Sequence, residues 1–401
     1  MLGRGTLTGF IGALFLIAVG ATVEAKPLHI KDTELEPLDF SALDRWTTDD
    51  HVASFAVFRK SCDVMLKRRN SPKPFEESLR SVCQRAVELS PPPDETASRA
   101  FFEQNFRPVR ISKLGEREGF LTGYYEPEVE GRRTKGDGFI YPMYRRPVDL
   151  ETKINQTRRA KRHRIGRTIV GYFDRAAIED GALEGRNLEI CWLKDPIDSF
   201  FIHIQGSARI RLEDGKLLRL NFDAHNGYPY VSIGKVLIDR GIIPREEMSM
   251  DAIRTYLSEM PDDARDIMRI NKSYVFFREI SALPANIEPP GAQGVNLTRE
   301  RSIAVDKNLH IYGTPFWIEA ELPLESERPI SNFRRLMIGQ DTGGAILGPA
   351  RADIYFGAGL DAGTVAGRIR HPGRFYMLVP HEADPSKLIN PVPLPAPRPK
   401  P

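Results

Sequence analysis

Two aspartates, Asp341 and Asp353, stand twelve residues apart around a glycine-rich stretch, Ile338-Gly-Gln-Asp341-Thr-Gly-Gly-Ala-Ile-Leu-Gly-Pro-Ala-Arg-Ala-Asp353-Ile-Tyr-Phe-Gly357. Strand-like residues adjoin each of them. Two carboxyls brought close cannot both ionise freely, so one pKa rises and that group becomes able to donate a proton. The plainer reading is a pair of turn aspartates capping backbone amides. Asp341-Thr342-Gly343 also matches the triplet of aspartic proteases. A single-chain enzyme of that type needs two such triplets, and this chain has one.

Other common chemistries find little support. The eight histidines are scattered, with no H-E-x-x-H and no paired spacing suited to a metal. His225, in the loop-like DAHNGYPY, reads as a polar loop residue. Three cysteines exclude a multi-cysteine zinc site, so neither metal nor cofactor is expected. No G-x-S-x-G elbow, Walker loop or strand-borne G-x-G-x-x-G is present, which disfavours serine hydrolases and nucleotide enzymes of the common types.

The 401 residues suit two or three domains. A hydrophobic share of 41% and a charged share of 28% exclude a mainly disordered chain. Lys+Arg total 57 against 54 Asp+Glu, and a net charge of +3 disfavours a dedicated nucleic-acid binder. The densest charge cluster, Arg158-Arg-Ala-Lys-Arg-His-Arg164, reads first as a solvated loop. Attraction to nucleic acid or to an anionic polymer outside the cytoplasm are its other readings.

Met1–Ala25 has the form of a secretory signal peptide. Arg4 supplies charge, the run from Phe10 to Val23 is apolar, and Val23-Glu24-Ala25 offers small residues for cleavage before Lys26. The run is short of the ~20 residues of a membrane span, so cleavage is expected over anchoring. No cysteine follows it, which argues against a lipoprotein. Export permits disulfides. Cys62 and Cys83 lie in two helical patterns separated by Asn70-Ser-Pro-Lys-Pro74, and in an antiparallel pair they fall nearly opposite one another. They form either a bridge or two buried thiols. Cys191, in the apolar run LEICWL, reads as core.

The elements that must position the aspartates are mostly strands. Residues 26–50 look extended and polar, and three helical patterns follow to about Phe106, the third capped by Asp94. Short β-type runs then dominate: GFLTGYY, FIYPMYR, FFIHIQG, ARIRL and LLRLNF. Helices are expected near Asp174, over Ser232–Gly241, after a cap at Ser249 and from Pro261. From Tyr274 β texture returns through Pro380. Beyond His381, prolines alternate with other residues to Pro401, which reads as an extended, disordered tail.

From Phe101 to Pro380 the chain resembles the membrane-bound lytic murein transglycosylase A family, and its C-terminal part resembles the three-aspartate (3D) domain. The matching motifs are Thr122-Gly-Tyr-Tyr-Glu-Pro127, Ile204-Gln-Gly-Ser207, Asn226-Gly-Tyr228, Ser232-Ile-Gly-Lys-Val-Leu-Ile-Asp-Arg-Gly241 and Tyr274-Val-Phe-Phe277. The 3D part carries Ile303-Ala-Val-Asp306, Gly313-Thr314, Asp341-Thr-Gly-Gly-Ala-Ile346, Asp353-Ile-Tyr355 and Ala366-Gly-Arg368.

The resemblance implies a mainly β fold with peripheral helices: a double-psi β-barrel, an inserted second β-domain, and a substrate groove between them. The expected division is a signal peptide (1–25), N-terminal helices with the first part of the barrel (26–126), the insert (127–273), the 3D-type second part (274–380) and the proline-rich tail (381–401). It implies cleavage of the MurNAc-β-1,4-GlcNAc bond of peptidoglycan without water, leaving a 1,6-anhydro product. Asp353 maps onto the family's catalytic aspartate, general acid and then general base. Asp341 and Asp306 would be supporting neighbours, Asp306 also counting with Thr122, Tyr124, Tyr125 and Gln205 as groove-lining, substrate-binding candidates. In a strand, Tyr124 and Tyr125 cannot both face a groove. The partner is a peptidoglycan glycan strand, and the expected location is the periplasm of a Gram-negative bacterium, with a peripheral place at the outer membrane as an alternative. Two rival readings are a hydrolase in which Asp341 or Glu126 activates water, and a wall-binding module without turnover.

Overall fold

The structure is a computed structural model, and it describes residues 28–30, 32–68, 74–151, 162–165, 168–280, 283–284 and 286–383. The leader, most of the proline-rich tail and the first part of the basic run, residues 158–161, lie outside the described residues.

The chain opens with β1 (Leu28–Ile30) and β2 (Thr33–Pro37), then α1 (His51–Lys67), α2 (Pro74–Glu88) and α3 (Glu95–Asn105). Residues 26–50 are therefore not merely extended. β2 pairs with the next strand, and Leu35, Leu43 and Trp46 are buried. Asp50 and Asp94 cap α1 and α3 by accepting the N–H groups of Ala53 and Ala97. α1 turns Phe55, Phe58, Cys62 and Met65 inward. Cys62 and Cys83 are disulfide-bonded, with Cα atoms 4.9 Å apart, joining α1 to α2.

β3 (Phe106–Lys113) and β4 (Gly119–Glu126) follow, and then the chain enters a second sheet. That part contains β5 (Glu128–Arg132), β6 (Tyr141–Tyr144), β7 (Leu150–Glu151), β8 (Arg162–Ile165), β9 (Thr168–Gly171), α4 (Arg175–Ala177), β10 (Glu189–Leu193) and α5 (Pro196–Gln205). It continues with β11 (Ser207–Arg211), β12 (Leu217–His225), α6 (Ile233–Asp239), α7 (Met250–Glu259), α8 (Pro261–Ile270) and β13 (Val275–Glu279). Ser232 and Ser249 cap α6 and α7. The second sheet runs β13-β12-β11-β5-β10-β6, so it extends to Glu279, past residue 273. Cys191 is buried and unbridged in β10.

The run FFIHIQG is helical rather than extended. Asp195 caps it, Pro196 sits at its first turn, and Gly206 ends it at φ 82°. Both faces of this helix are apolar, which hid its 3.6-residue period.

The last part supplies β14 (Ser302–Val305), β15 (Pro315–Leu322), β16 (Ser331–Asp341), β17 (Arg351–Ala358), α9 (Gly359–Arg368) and β18 (Arg370–Pro380). Strand order β18-β15-β16-β14-β17-β4 closes on itself, because β4 also pairs with β18. This is a closed six-stranded barrel, as the double-psi resemblance implied. Two of its pairings, β14–β16 and β17–β4, are parallel. β4 precedes the second sheet in the chain and still closes the barrel, against β17 and β18. α9 was not legible in the glycine-rich run that forms it. It packs on β4, where a Cβ at Gly123 would lie 2.8 Å from Ala366.

Candidate active site

Barrel closure sets one cross-strand row. Asp341 at the end of β16 pairs with Ala304 of β14, and Ala304 pairs with Asp353 of β17. Asp353 pairs with Thr122 of β4, and Thr122 with Arg370 of β18. Residues separated by more than two hundred positions therefore share one band of the barrel.

Asp353 is half-buried. Thr122 Oγ1 lies 2.6 Å from its Oδ1. Burial raises the Asp353 pKa, against the opposing pull of the Arg351 guanidinium and the Thr122 hydrogen bond. A carboxyl so placed holds a proton to a higher pH than an exposed aspartate, as a general acid requires.

Asp341 is tied differently. Its Oδ1 accepts the N–H groups of Ala292 and Thr342, both at 2.9 Å, and its Oδ2 accepts the Tyr124 hydroxyl at 2.9 Å. Its pKa is also raised, chiefly by burial, with the charge of Asp353 adding to the effect. Burial and the neighbouring Asp341 together hold the Tyr124 phenol well above its ordinary range. The Tyr124 ring meets that of Tyr355 at 5.2 Å.

The other candidates separate. Tyr125 faces away from Tyr124, as strand alternation demands. Its ring fills the space where a Cβ on Gly363 of α9 would be, 2.8 Å away. Its N–H donates to Gln205 Oε1 at 3.1 Å, so Gln205 ties the end of α5 to β4. The Asp306 carboxylate accepts Asn308 N–H, Asn308 Nδ2 and Gly348 N–H, holding the loop before β17 rather than touching Asp353. Glu126 is wholly buried, its Oε2 accepting Arg209 Nε at 2.7 Å and Arg219 Nη2 at 2.9 Å. Those arginines belong to β11 and β12, so Glu126 clamps the barrel to the second sheet. The clamp continues to Glu288, which accepts both Arg209 and the Tyr355 hydroxyl.

Three neighbours of the site were not singled out from sequence. Arg351 donates to Thr122 Oγ1 at 2.7 Å. Arg370 lies across β18. Tyr230, before α6, reaches over from the second sheet's side, where a Cβ on Gly344 would be 3.5 Å from its own Cβ. Burial raises the Tyr230 pKa, and the charge of Asp353 adds to it. Only Arg351 had a readable signal, its i−2 spacing from Asp353 in a strand-like run.

Among the described residues no group of three or more His, Cys, Asp or Glu could hold a metal ion. Nor is any helix among them long and apolar enough to cross a membrane.

Residues 120–278 match the MltA specific insert domain, and residues 301–379 match the 3D domain. The chain is similar to the membrane-bound lytic murein transglycosylase A of Escherichia coli K12, with 36% identity over 263 residues. That match covers 64% of this chain and 65% of the relative's length. A crystal structure of a membrane-bound lytic murein transglycosylase from Agrobacterium tumefaciens is similar with TM-score 0.79 and 35% identity, covering 86% of this chain and 97% of that one. E. coli MltA with bound chitohexaose is similar with TM-score 0.61 and 30% identity, covering 82% and 90%. The chain belongs to the membrane-bound lytic murein transglycosylase A family.

Proposed function

We propose that the protein is an exported lytic transglycosylase that cleaves the MurNAc-β-1,4-GlcNAc bond of peptidoglycan, with Asp353 as its only acid and base. The observation that carries this reading is the contrast between three carboxylates. Glu126 is enclosed by two arginines, and both oxygens of Asp341 already accept N–H or O–H donors. Asp353 alone is half-buried with an oxygen, Oδ2, that has no hydrogen bond among the described residues. One free carboxyl suits a reaction whose nucleophile is internal. Protonated Asp353 gives its proton to the glycosidic oxygen as that bond breaks through an oxocarbenium-like state. As a carboxylate it then takes the proton of the muramic 6-hydroxyl, which closes on C1. No second carboxylate is needed to activate water.

The glycan lies, in this reading, between the Asp353 face of the barrel and the inserted domain that carries Tyr230. In this reading the insert runs from residue 127 to the end of β13 at Glu279, rather than to 273, and the segments around it supply the barrel strands. A relative solved with chitohexaose bound supports a glycan as the ligand class. Export rests on the signal-like Met1–Ala25, and the periplasm follows from it as the compartment that holds the substrate.

Mass spectrometry of sacculi digested with the wild type and with Asp353→Asn tests the reading. Products one water lighter than the hydrolytic ones are expected from the wild type alone. Free reducing ends only would make the protein a hydrolase. Undiminished lysis by Asp353→Asn would remove Asp353 from its role, and glycan binding by both proteins without any turnover would leave a binding module.

A further inference from the structure

Arg351 stands two residues before Asp353 on β17, so both side chains leave the strand on one face. Its guanidinium lies 5.5 Å from the centroid of the Phe120 ring, and its Nη1 donates to the Ala352 carbonyl. Its Nη2 donates to Thr122 Oγ1 at 2.7 Å, and that same oxygen lies 2.6 Å from Asp353 Oδ1. A guanidinium has five donors and no acceptor, so it cannot receive the Thr122 proton. The single hydroxyl proton of Thr122 therefore goes to Asp353 Oδ1. This holds in both states of the carboxyl, because a proton on Oδ1 would leave the Thr122 hydroxyl with no acceptor among the described residues. The proton of the neutral acid is left to Oδ2.

Resting on the functional reading above, we propose that Arg351 is a positioning residue that acts through Thr122 to keep the transferable proton of Asp353 on Oδ2. The direction of the chain is what matters. Without the donor-only guanidinium, water in its place can accept the Thr122 proton, Thr122 can then accept from Oδ1–H, and the acid presents its proton to the protein instead of the glycan. With Arg351 in place, Oδ2 gives its proton to the glycosidic oxygen and receives one from the 6-hydroxyl, with Oδ1 unchanged throughout.

The remaining groups around Asp353 are Tyr124 on β4, Tyr355 on its own strand, Asp341 on β16, Arg370 on β18 and Tyr230 across the cleft. Ala304 of β14 adds no charge. Tyr124 is committed to Asp341, Tyr355 to Glu288, and Arg370 to the carbonyls of Arg245 and Glu246. Arg351 is thus the cation coupled to Asp353.

The test is the pH dependence of turnover on isolated sacculi by the full chain, with Thr122→Val, Thr122→Ser, Arg351→Gln and the double variant Thr122→Val/Arg351→Gln. Thr122→Val and Arg351→Gln should each lower kcat roughly tenfold or more with KM little changed, as misorientation of a catalytic group does. The double variant should be no slower than Thr122→Val, because Arg351 acts through Thr122. Thr122→Ser should recover most of what Thr122→Val loses. Arg351→Gln should also move the alkaline limb upward, since a positive charge beside the carboxyl is gone. Losses that multiply in the double variant would overturn the proposal, as would a wild-type rate in Arg351→Gln. If Arg351→Gln does not fold, Arg351→Lys replaces it: the retained charge should keep the limb in place while the lost planar fork lowers kcat, and an unchanged kcat would overturn the proposal. The infrared C=O band of isotope-labelled Asp353 reads the hydrogen bond without turnover. It should rise in frequency in Thr122→Val. This separates the two claims: a wild type that makes no anhydro product defeats the functional reading, and an unmoved band defeats the hydrogen-bond chain.

Discussion

Asp341 and Asp353 pair with the same residue, Ala304, from opposite sides, one in β16 and the other in β17. Their surroundings give them different work. Asp341 is saturated by two amides and a phenol, while Asp353 meets one hydroxyl and keeps an oxygen free of hydrogen bonds among the described residues. Burial raises both pKa values, and the charge of Asp353 adds to the rise at Asp341. Asp341 thus holds the frame of the site.

Asp341→Ala should therefore damage stability as well as rate. It leaves the buried Tyr124 hydroxyl without its acceptor, at roughly 1–3 kcal/mol for an unsatisfied buried donor, while the less buried amides of Ala292 and Thr342 can turn to water. Chemical denaturation should show a loss of that order, and Asp341→Asn, which keeps one acceptor oxygen, a smaller one. A variant as stable as the wild type would mean that these donors find other partners.

Glu126 predicts a different pattern. Removing it by Glu126→Ala strands Arg219, which is almost fully buried, and half-strands Arg209. Breaking a buried pair from one side costs about 3–5 kcal/mol. Denaturant midpoints should fall accordingly. Because the clamp joins the barrel to the second sheet, glycan affinity should weaken together with stability. Unchanged affinity in a folded variant would show that the clamp does not set the cleft.

The Cys62–Cys83 bridge closes a loop with sequence separation 21 between α1 and α2. A loop of that size contributes on the order of 3 kcal/mol in the chain-entropy account. Cys62→Ser/Cys83→Ser should lower the melting temperature by several degrees. Neither α1 nor α2 supplies a hydrogen bond to Asp353, Thr122 or Asp341 among the described residues, so turnover on sacculi at moderate temperature should persist. Loss of turnover in a folded double variant would tie the helices to the site.

Local signals were readable where a single residue decides the local structure. Asp94 and Ser249 mark helix starts because their side-chain oxygens satisfy first-turn amides that have no partner inside the helix. The two aspartates were readable as a pair from their short spacing around a glycine-rich stretch, although β14 lies between their strands. What bears on Asp353 from elsewhere was not readable. Thr122 reaches it only because β4 closes the barrel across 231 positions. Arg351 mattered only once its strand face was known. α5 was misread because Phe200, Phe201, Ile202 and His203 are buried on all sides. Gln205 looked like a groove residue because of its motif, yet its carbonyl oxygen serves a backbone amide. Composition and spacing carry chemistry along the chain, while closure of the barrel decides which neighbours meet.

The raised pKa of Asp353 makes activity and stability fall together as pH rises. Activity needs the protonated acid, so turnover should be high below the Asp353 pKa and fall as pH rises through it, at a pH above the ordinary aspartate range. Stability runs with the same titration. The folded pKa lies above the unfolded value of about 3.9, so between the two the native state holds a proton that the unfolded chain has lost. That contribution is fully present below the unfolded pKa and disappears as pH rises through the folded one. Asp353→Asn cannot ionise and escapes the loss. Its Oδ1 can still accept from Thr122, and its size is conserved. Calorimetry across pH should therefore find the inactive variant more stable than the wild type at neutral pH, with the difference vanishing in acid. A variant less stable at neutral pH would mean that the Arg351 charge needs the carboxylate more than burial disfavours it, and the alkaline limb of the wild type would then lie within the ordinary aspartate range.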